Sequence, residues 1–409
     1  MNLSHLPDTG FAVADNCLQI GGMPLTRLAE RAGATPFYAY DRQLVSERVA
    51  KLRAALPAEI HLHYAIKANP MPALVQHLAG LVDGFDVASV GEMKTVLDSA
   101  MPAEKVSLAG PGKTAAQLRQ AAAAGIVVNL ESEREMELIA QAGAELGVRP
   151  KVTVRVNPDF ELKSSGMKMS GGPKQFGVDA ERVPAMLARM KELPVEFYGF
   201  HIFCGSQNLR AEAIIEAQRN TFALARRLAE DAPGPVRLLN LGGGFGIPYF
   251  PGEQVLDLAA VGAHLHGLMP QARQDFPEAE FVIELGRYIV GEAGVYVSRV
   301  IERKESRGQI FLITDGGLHH HLAASGNFGQ VIRKNYPALV GNRVSPEGDA
   351  TLATVVGPLC TPLDTLADKM PLGHAQEGDL IVVMQSGAYG LTASPAAFLS
   401  HPAARELLV

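Results

Sequence analysis

The chain has 409 residues, enough for two or three domains, and its 47% hydrophobic and 20% charged content is that of an ordinary globular protein. A net charge of −6 with scattered basic residues excludes nucleic acid and anionic membrane surfaces as default partners. The N-terminus, Met1-Asn2-Leu3-Ser4-His5-Leu6-Pro7, has no basic n-region or continuous apolar h-region, and every apolar run is well short of the roughly 20 residues that span a bilayer. Cys17, Cys204 and Cys360 form neither a CxxC pair nor a closed disulfide framework, so a reducing cytoplasm is the expected location.

In chain order, a β-rich run at 37–40 precedes Asp41, which is suited to cap a helix continuing to about Leu56. Strand patterns then recur at 61–66, 85–88, 106–109, 126–130, 152–156, 197–203, 236–241 and 281–284. Helical periodicity fills the intervals, as at 133–146 and 211–230. Eight strand–helix units in about 225 residues predict an α/β fold of the (β/α)8 TIM-like barrel type, with a doubly wound open sheet as the competing architecture. After Arg287 the texture becomes β-rich at 295–300, 309–313, 351–356 and 380–384, with glycine and proline turns between. The expected division is an N-terminal segment 1–34 that completes the β domain, a barrel 35–287 and a mostly-β C-terminal domain 288–409.

Polar residues and glycines gather at the C-terminal ends of the barrel strands, the face where βα loops build active sites. Lys67 follows the first strand, where partial desolvation lowers a lysine pKa and makes an imine-forming nucleophile. Asp86 lies in the second strand, Arg155 and Asn157 close the fifth, and His201 lies in the sixth. The run Gly242-Gly243-Gly244 ends the seventh; its backbone amides could cradle a phosphate, although the G-x-G-x-x-G dinucleotide spacing is absent. Glu284 ends the eighth, in Glu284-Leu285-Gly286-Arg287, where the carboxylate could hold a heterocycle nitrogen and the Gly286 amide with Arg287 an anion.

Together with Tyr64-Ala65-Ile66-Lys67-Ala68-Asn69, Phe85-Asp86-Val87-Ala88-Ser89, Gly205-Ser206-Gln207, Gly357-Pro358-Leu359-Cys360 with Asp364, and Gly387-Ala388-Tyr389, these stretches resemble the fold type III pyridoxal-phosphate decarboxylases, the group of diaminopimelate, ornithine and arginine decarboxylases. The motifs occur in family order across nearly the whole chain. The resemblance implies a barrel followed by a β domain, pyridoxal 5'-phosphate as cofactor, and a homodimer with shared active sites. Lys67 would carry the cofactor covalently. Glu284 would keep the pyridine nitrogen protonated, His201 would stack on the ring, and Asp86 and Arg155 would line the cofactor. Ser206, Gly242, Gly243, Gly244, Gly286, Arg287 and Tyr389 would surround the phosphate, and Cys360 of a neighbouring subunit would reprotonate the α-carbon. Arg287, Arg333, Thr361, Asp364 and Tyr389 are the expected substrate-side residues.

Two departures bear on the substrate. Diaminopimelate and ornithine decarboxylases place an acid directly after the cysteine, to meet the distal ammonium of the substrate; here that position is Thr361, and a buried ammonium without a counter-ion is costly. The Arg-Pro…Tyr loop that binds the distal carboxylate of diaminopimelate is replaced by the 315–327 stretch, with Arg333 and Tyr336 following. Its His319-His320-His321 run is not expected to bind metal, because three consecutive side chains do not converge on one ion. Two smaller changes, Leu285 for proline and Asn240 for aspartate, remove no catalytic group. The 319–327 and 384–394 stretches are most similar to a branch that includes glutamyl-acyl-carrier-protein decarboxylases and exosortase A system-associated decarboxylases. An acyl-carrier-protein-tethered amino acid such as glutamyl, which has no distal ammonium, is therefore expected ahead of free diaminopimelate. Racemisation is the alternative chemistry of this fold, but such racemases place an arginine where Glu284 stands. A cofactor-binding regulator without activity is the non-enzyme alternative, and the retention of Lys67, Glu284, Cys360 and Tyr389 weighs against it.

Overall fold

Alternating strands and helices organise the first two-thirds of the chain in the computed structural model, which describes residues 10–160, 167–168, 171–328, 330, 333–344 and 351–409. Eight strands, β1 (Ile60–Ala65), β2 (Gly84–Val87), β3 (Val106–Leu108), β4 (Val127–Leu130), β5 (Lys151–Asn157), β6 (Glu196–His201), β7 (Leu238–Gly243) and β8 (Glu280–Leu285), pair in parallel in chain order. β8 pairs back onto β1, which closes the barrel and rules out the doubly wound open sheet. The strands are buried almost throughout, as expected of parallel strands covered by helices. The helices between them begin and end where local chemistry dictates. Thr114 and Gln117 form a capping box, Ser89, Ser132 and Asp257 accept backbone N–H bonds as N-caps, and Gly125 and Gly147 close helices with positive φ.

The residues fall into two compact units. One comprises Arg48–Ile247 and Val255–Tyr288 and contains the barrel; the other comprises the residues up to Glu47 with Pro248–Gln254 and Ile289–Val409. In the second unit a sheet runs Ala338–Val340, Leu380–Val383, Gly294–Ser306, Gln309–Thr314, Ala353–Val356, Thr365–Met370. The strand Phe37–Tyr40 pairs antiparallel with Gly294–Ser306 and parallel with Arg405–Leu408. Asp41 caps the helix that follows, accepting from the backbone N–H of Gln43 and Leu44. Leu18, Ile20, Leu25, Leu28, Phe37, Val295, Val297 and Val382 form this unit's core; full burial of each large apolar side chain contributes about 1.5–3 kcal/mol. Among the described residues no helix is long and apolar enough to cross a membrane.

Candidate active site

The C-terminal ends of the barrel strands bring Lys67, His201 and Glu284 together. Lys67 lies in the short turn Ile66–Ala68 after β1, with its side chain 40% exposed. Its Nζ is 3.8 Å from Glu284 Oε1 and 5.6 Å from the centre of the Phe203 ring. Glu284 projects from β8 and is buried. His201 ends β6, also buried, with Nε2 3.3 Å from Glu284 Oε2. Among the described residues neither ring nitrogen of His201 has an aligned hydrogen bond. Burial alone would raise the Glu284 pKa, but His201 beside it, with the positive charges of Lys67 and Arg155, holds it down to about 2. The result is an ionised carboxylate in a desolvated pocket, next to an accessible amine.

The glycine run has a steric reason. Gly242 and Gly244 adopt positive φ, and a Cβ at Gly243 would strike the Glu284 carbonyl oxygen, while one at Gly244 would strike the Gly205 carbonyl oxygen. Asn240 supports the turn by accepting the Gly242 N–H at 2.8 Å. Ser206 lies in the short strand Gly205–Ser206, which pairs with Met167–Lys168. Gly286 packs against Ala65 and Ala68, and Arg287 opens the four-residue helix that follows. The glycine run, Gly205–Ser206 and the β8 end with Gly286 thus sit around one strand-end region.

Arg155 and Asp86 have partners that sequence reasoning missed. Arg155 Nη1 donates to Glu131 Oε1 at 2.7 Å, and its guanidinium lies 5.0 Å from the Phe176 ring centre. Glu131 also accepts the backbone N–H of Gly110 at 2.6 Å and of Gly177 at 3.1 Å. Burial works to raise the Glu131 pKa, and Arg155, Lys113 and these bonds bring it below the usual carboxylate value. Asp86 accepts a bond from Ser107 Oγ and lies 3.4 Å from His63 Nδ1. Asn157 Nδ2 donates to Asp179 and to the Gly172 carbonyl. The available signal for these partners was weak: a polar residue inside an apolar strand (His63, Ser107, Asn129) or an acid just past one (Glu131).

The remaining candidates belong to the other unit. The Cys360 thiol is exposed, and Thr361 follows it at an intermediate position. Asp364 is buried and accepts the backbone N–H groups of Leu318 at 2.6 Å and Leu359 at 2.9 Å, tying two loops; burial raises its pKa against those two bonds. Arg333 Nη2 donates to the Thr365 carbonyl at 2.7 Å, and burial lowers its pKa. Tyr389 is half-buried with φ 54°, its ring 6.5 Å from that of Phe328. In the His319–His321 run, His320 Nε2 is 2.7 Å from the Pro402 carbonyl oxygen and His321 Nε2 is 2.9 Å from Ser386 Oγ.

A family model described as "Pyridoxal-dependent decarboxylase, pyridoxal binding domain" matches residues 42–291. The chain is 36% identical to the L-glutamyl-[BtrI acyl-carrier protein] decarboxylase of Niallia circulans, over 94% of this chain and 90% of that protein. It is 32% identical to the diaminopimelate decarboxylase of Campylobacter jejuni, over 88% of this chain and 87% of that one. The crystal structure of diaminopimelate decarboxylase from M. jannaschii in complex with L-lysine superposes with a TM-score of 0.88 at 25% identity, covering 98% of this chain and 92% of that one.

Proposed function

Because the chain belongs to the pyridoxal-dependent decarboxylases, we propose that Lys67 Nζ is the atom that bonds its pyridoxal phosphate. The observation that carries this reading is the Lys67–Glu284–His201 grouping at the strand ends. The residues fit the cofactor on physical grounds. Glu284 is held ionised, so it can keep a proton on a pyridine nitrogen. The buried His201 ring nitrogens lack aligned partners, consistent with a ring that serves a ligand face. The Gly242–Gly244 turn leaves no room for side chains, which suits close backbone approach to phosphate, with Ser206, Gly286 and Arg287 as further donors. Bound there, the cofactor supplies an electron sink for the pair left behind when CO2 departs. Lys67 provides the nucleophilic amine, and Glu284 fixes the proton that makes the sink effective. Asp86 and Arg155 line the same interior with one charge of each sign. On sequence grounds, Cys360 of a second subunit donates the proton that replaces CO2, in a homodimer.

The substrate we propose is an aminoacyl group tethered to a carrier protein, glutamyl being the leading case. Two observations support it: the N. circulans relative is named for that substrate, and Thr361 offers no counter-charge for a distal ammonium. The test is CO2 release from L-glutamyl-carrier protein beside free meso-diaminopimelate, ornithine, lysine and arginine. Turnover confined to the thioester supports the proposal. Rapid turnover of a free diamino acid overturns the tethered substrate while leaving the decarboxylase assignment intact.

A further inference from the structure

Five consecutive barrel strands each set one polar side chain into the buried interior: His63 on β1, Asp86 on β2, Ser107 on β3, Asn129 on β4 and Thr153 on β5. None exceeds 5% exposure. They touch in strand order. Thr153 Oγ1 donates to Asn129 Oδ1 at 2.5 Å, Asn129 Nδ2 donates to Ser107 Oγ at 3.1 Å, and Ser107 Oγ donates to Asp86 Oδ1. The direction is set from the carboxylate end. A carboxylate oxygen accepts, so Ser107 gives it the hydroxyl proton and takes its own bond from the Asn129 amide nitrogen. The Asn129 oxygen is then left facing the Thr153 hydroxyl. Every proton in the chain points one way.

The second Asp86 oxygen has no hydrogen bond among the described residues, and the atom facing it is His63 Nδ1 at 3.4 Å. Gly84 makes space for that imidazole: a Cβ there would collide with the ring and with the Lys105 carbonyl. In the strand pairing His63 is opposite Glu284, and Ala65, two residues before Lys67, is opposite Asp86. The chain of bonds therefore ends on β2 beside β1, the strand that leads to Lys67 and whose His63 is paired with Glu284.

We infer that Thr153, Asn129, Ser107 and His63 are positioning residues: a one-way hydrogen-bond belt inside the barrel fixes the Asp86 carboxylate, with the His63 ring against it, for the benefit of the cofactor pocket. This rests on the pocket reading proposed above. Bonds aligned in one direction polarise each other, and the last, to a charged oxygen, is the strongest. Barrel interiors are ordinarily filled with Val, Ile and Leu, which would pack this layer without the desolvation of five polar groups. What an apolar layer could not supply is a second buried carboxylate in the barrel interior, which favours the protonated, electron-accepting form of a bound pyridoxal ring.

Three variants test it in the full chain, with and without pyridoxal phosphate. Ser107→Ala cuts the bond to Asp86. Thr153→Val removes the far donor at constant shape, three bonds from Asp86, and Thr153→Ser restores it. The readouts are the His63 ring ¹⁵N shifts, assigned with His63→Gln, and the dissociation constant of pyridoxal phosphate. We expect Ser107→Ala and Thr153→Val to shift the His63 signals and Thr153→Ser to leave them in place. Ser107→Ala weakens cofactor binding by roughly tenfold, the scale of one hydrogen bond to a charged group. Unmoved His63 signals in Ser107→Ala, or equal behaviour of the two Thr153 variants, overturn the belt. Asp86→Asn separates the two claims: unchanged cofactor affinity there, with His63 still responding to Ser107→Ala, overturns the link to the cofactor and leaves the belt. Failure of the unsubstituted chain to bind the cofactor refutes the pocket reading instead.

Discussion

Glu284→Gln keeps the shape of the buried side chain and removes its charge, and its cost can be worked from the surroundings. The fall of the Glu284 pKa from 4.5 to about 2, at roughly 1.36 kcal/mol per pH unit, amounts to about 3 kcal/mol favouring the ionised form in the folded protein. Because the folded-state value is depressed, this stabilisation is present above pH 4.5 and drains away as the pH falls toward 2, with about half left near pH 3. The variant is therefore less stable than the unsubstituted protein by about 3 kcal/mol at pH 7, and the gap narrows steadily on acidification. The chain has no tryptophan, so urea unfolding is followed by far-UV circular dichroism, at pH 7 and at several values below 4.5. A gap that is absent at pH 7, or that is the same at pH 3, refutes the argument that His201 and Lys67 hold this carboxylate ionised. The same variant loses the proton holder for the pyridine ring, so CO2 release falls while Lys67 remains available to bond the cofactor.

With pyridoxal phosphate supplied, the unsubstituted chain shows a visible absorption band and, after borohydride reduction, a label that mass spectrometry finds on the peptide containing residue 67; Lys67→Ala abolishes both. Cys360→Ala leaves that band unchanged and slows CO2 release by roughly 10²-fold, the usual scale for loss of a positioned proton donor; an unaltered rate removes Cys360 from the mechanism. His321 is fully buried, and burial pushes its pKa down to about 3. Below pH 6.5 the unfolded chain binds a proton that the folded one refuses, which costs about 3 kcal/mol by pH 4.5. His321→Gln removes that acid penalty, which urea midpoints at pH 7 and 4.5 reveal as a flatter profile.

The closed barrel was legible because its strands are short, apolar and separated by helical intervals, and because Lys67, His201 and Glu284 stand where strands end. Strand limits were less legible. β7 runs Leu238–Gly243 rather than 236–241, since after a register break past Asn240 it pairs with β8 again at Gly243, opposite Glu284, which side-chain pattern does not reveal. The short strands Ala338–Val340 and Arg405–Leu408 left no clear period-2 signal, and nothing in the four residues Phe37–Tyr40 says which sheet they join. Partner choice is a tertiary property, invisible to local propensity. The same limit hid the interior belt: Ser107, Asn129 and Thr153 each read as an unremarkable polar residue until adjacent strands put their side chains in contact.

Glu131 and Glu284 show why a buried acid's partners matter more than its burial. Both are barrel carboxylates with pKa values below the ordinary one. Glu131 is closely coordinated: Arg155 at 2.7 Å and two backbone N–H groups at 2.6 and 3.1 Å bond both its oxygens. Among the described residues, Glu284 has longer approaches, 3.3 Å to His201 and 3.8 Å to Lys67. A charge-assisted N–H···O bond is shorter, about 2.7–2.9 Å, so Glu284 retains more capacity for a further donor than Glu131. Glu131 is thus suited to hold Arg155 in place, whereas Glu284 can accept a pyridine N–H without giving up a bond it already makes. The role proposed for each carboxylate follows from that difference in coordination, since depth and charge are common to both.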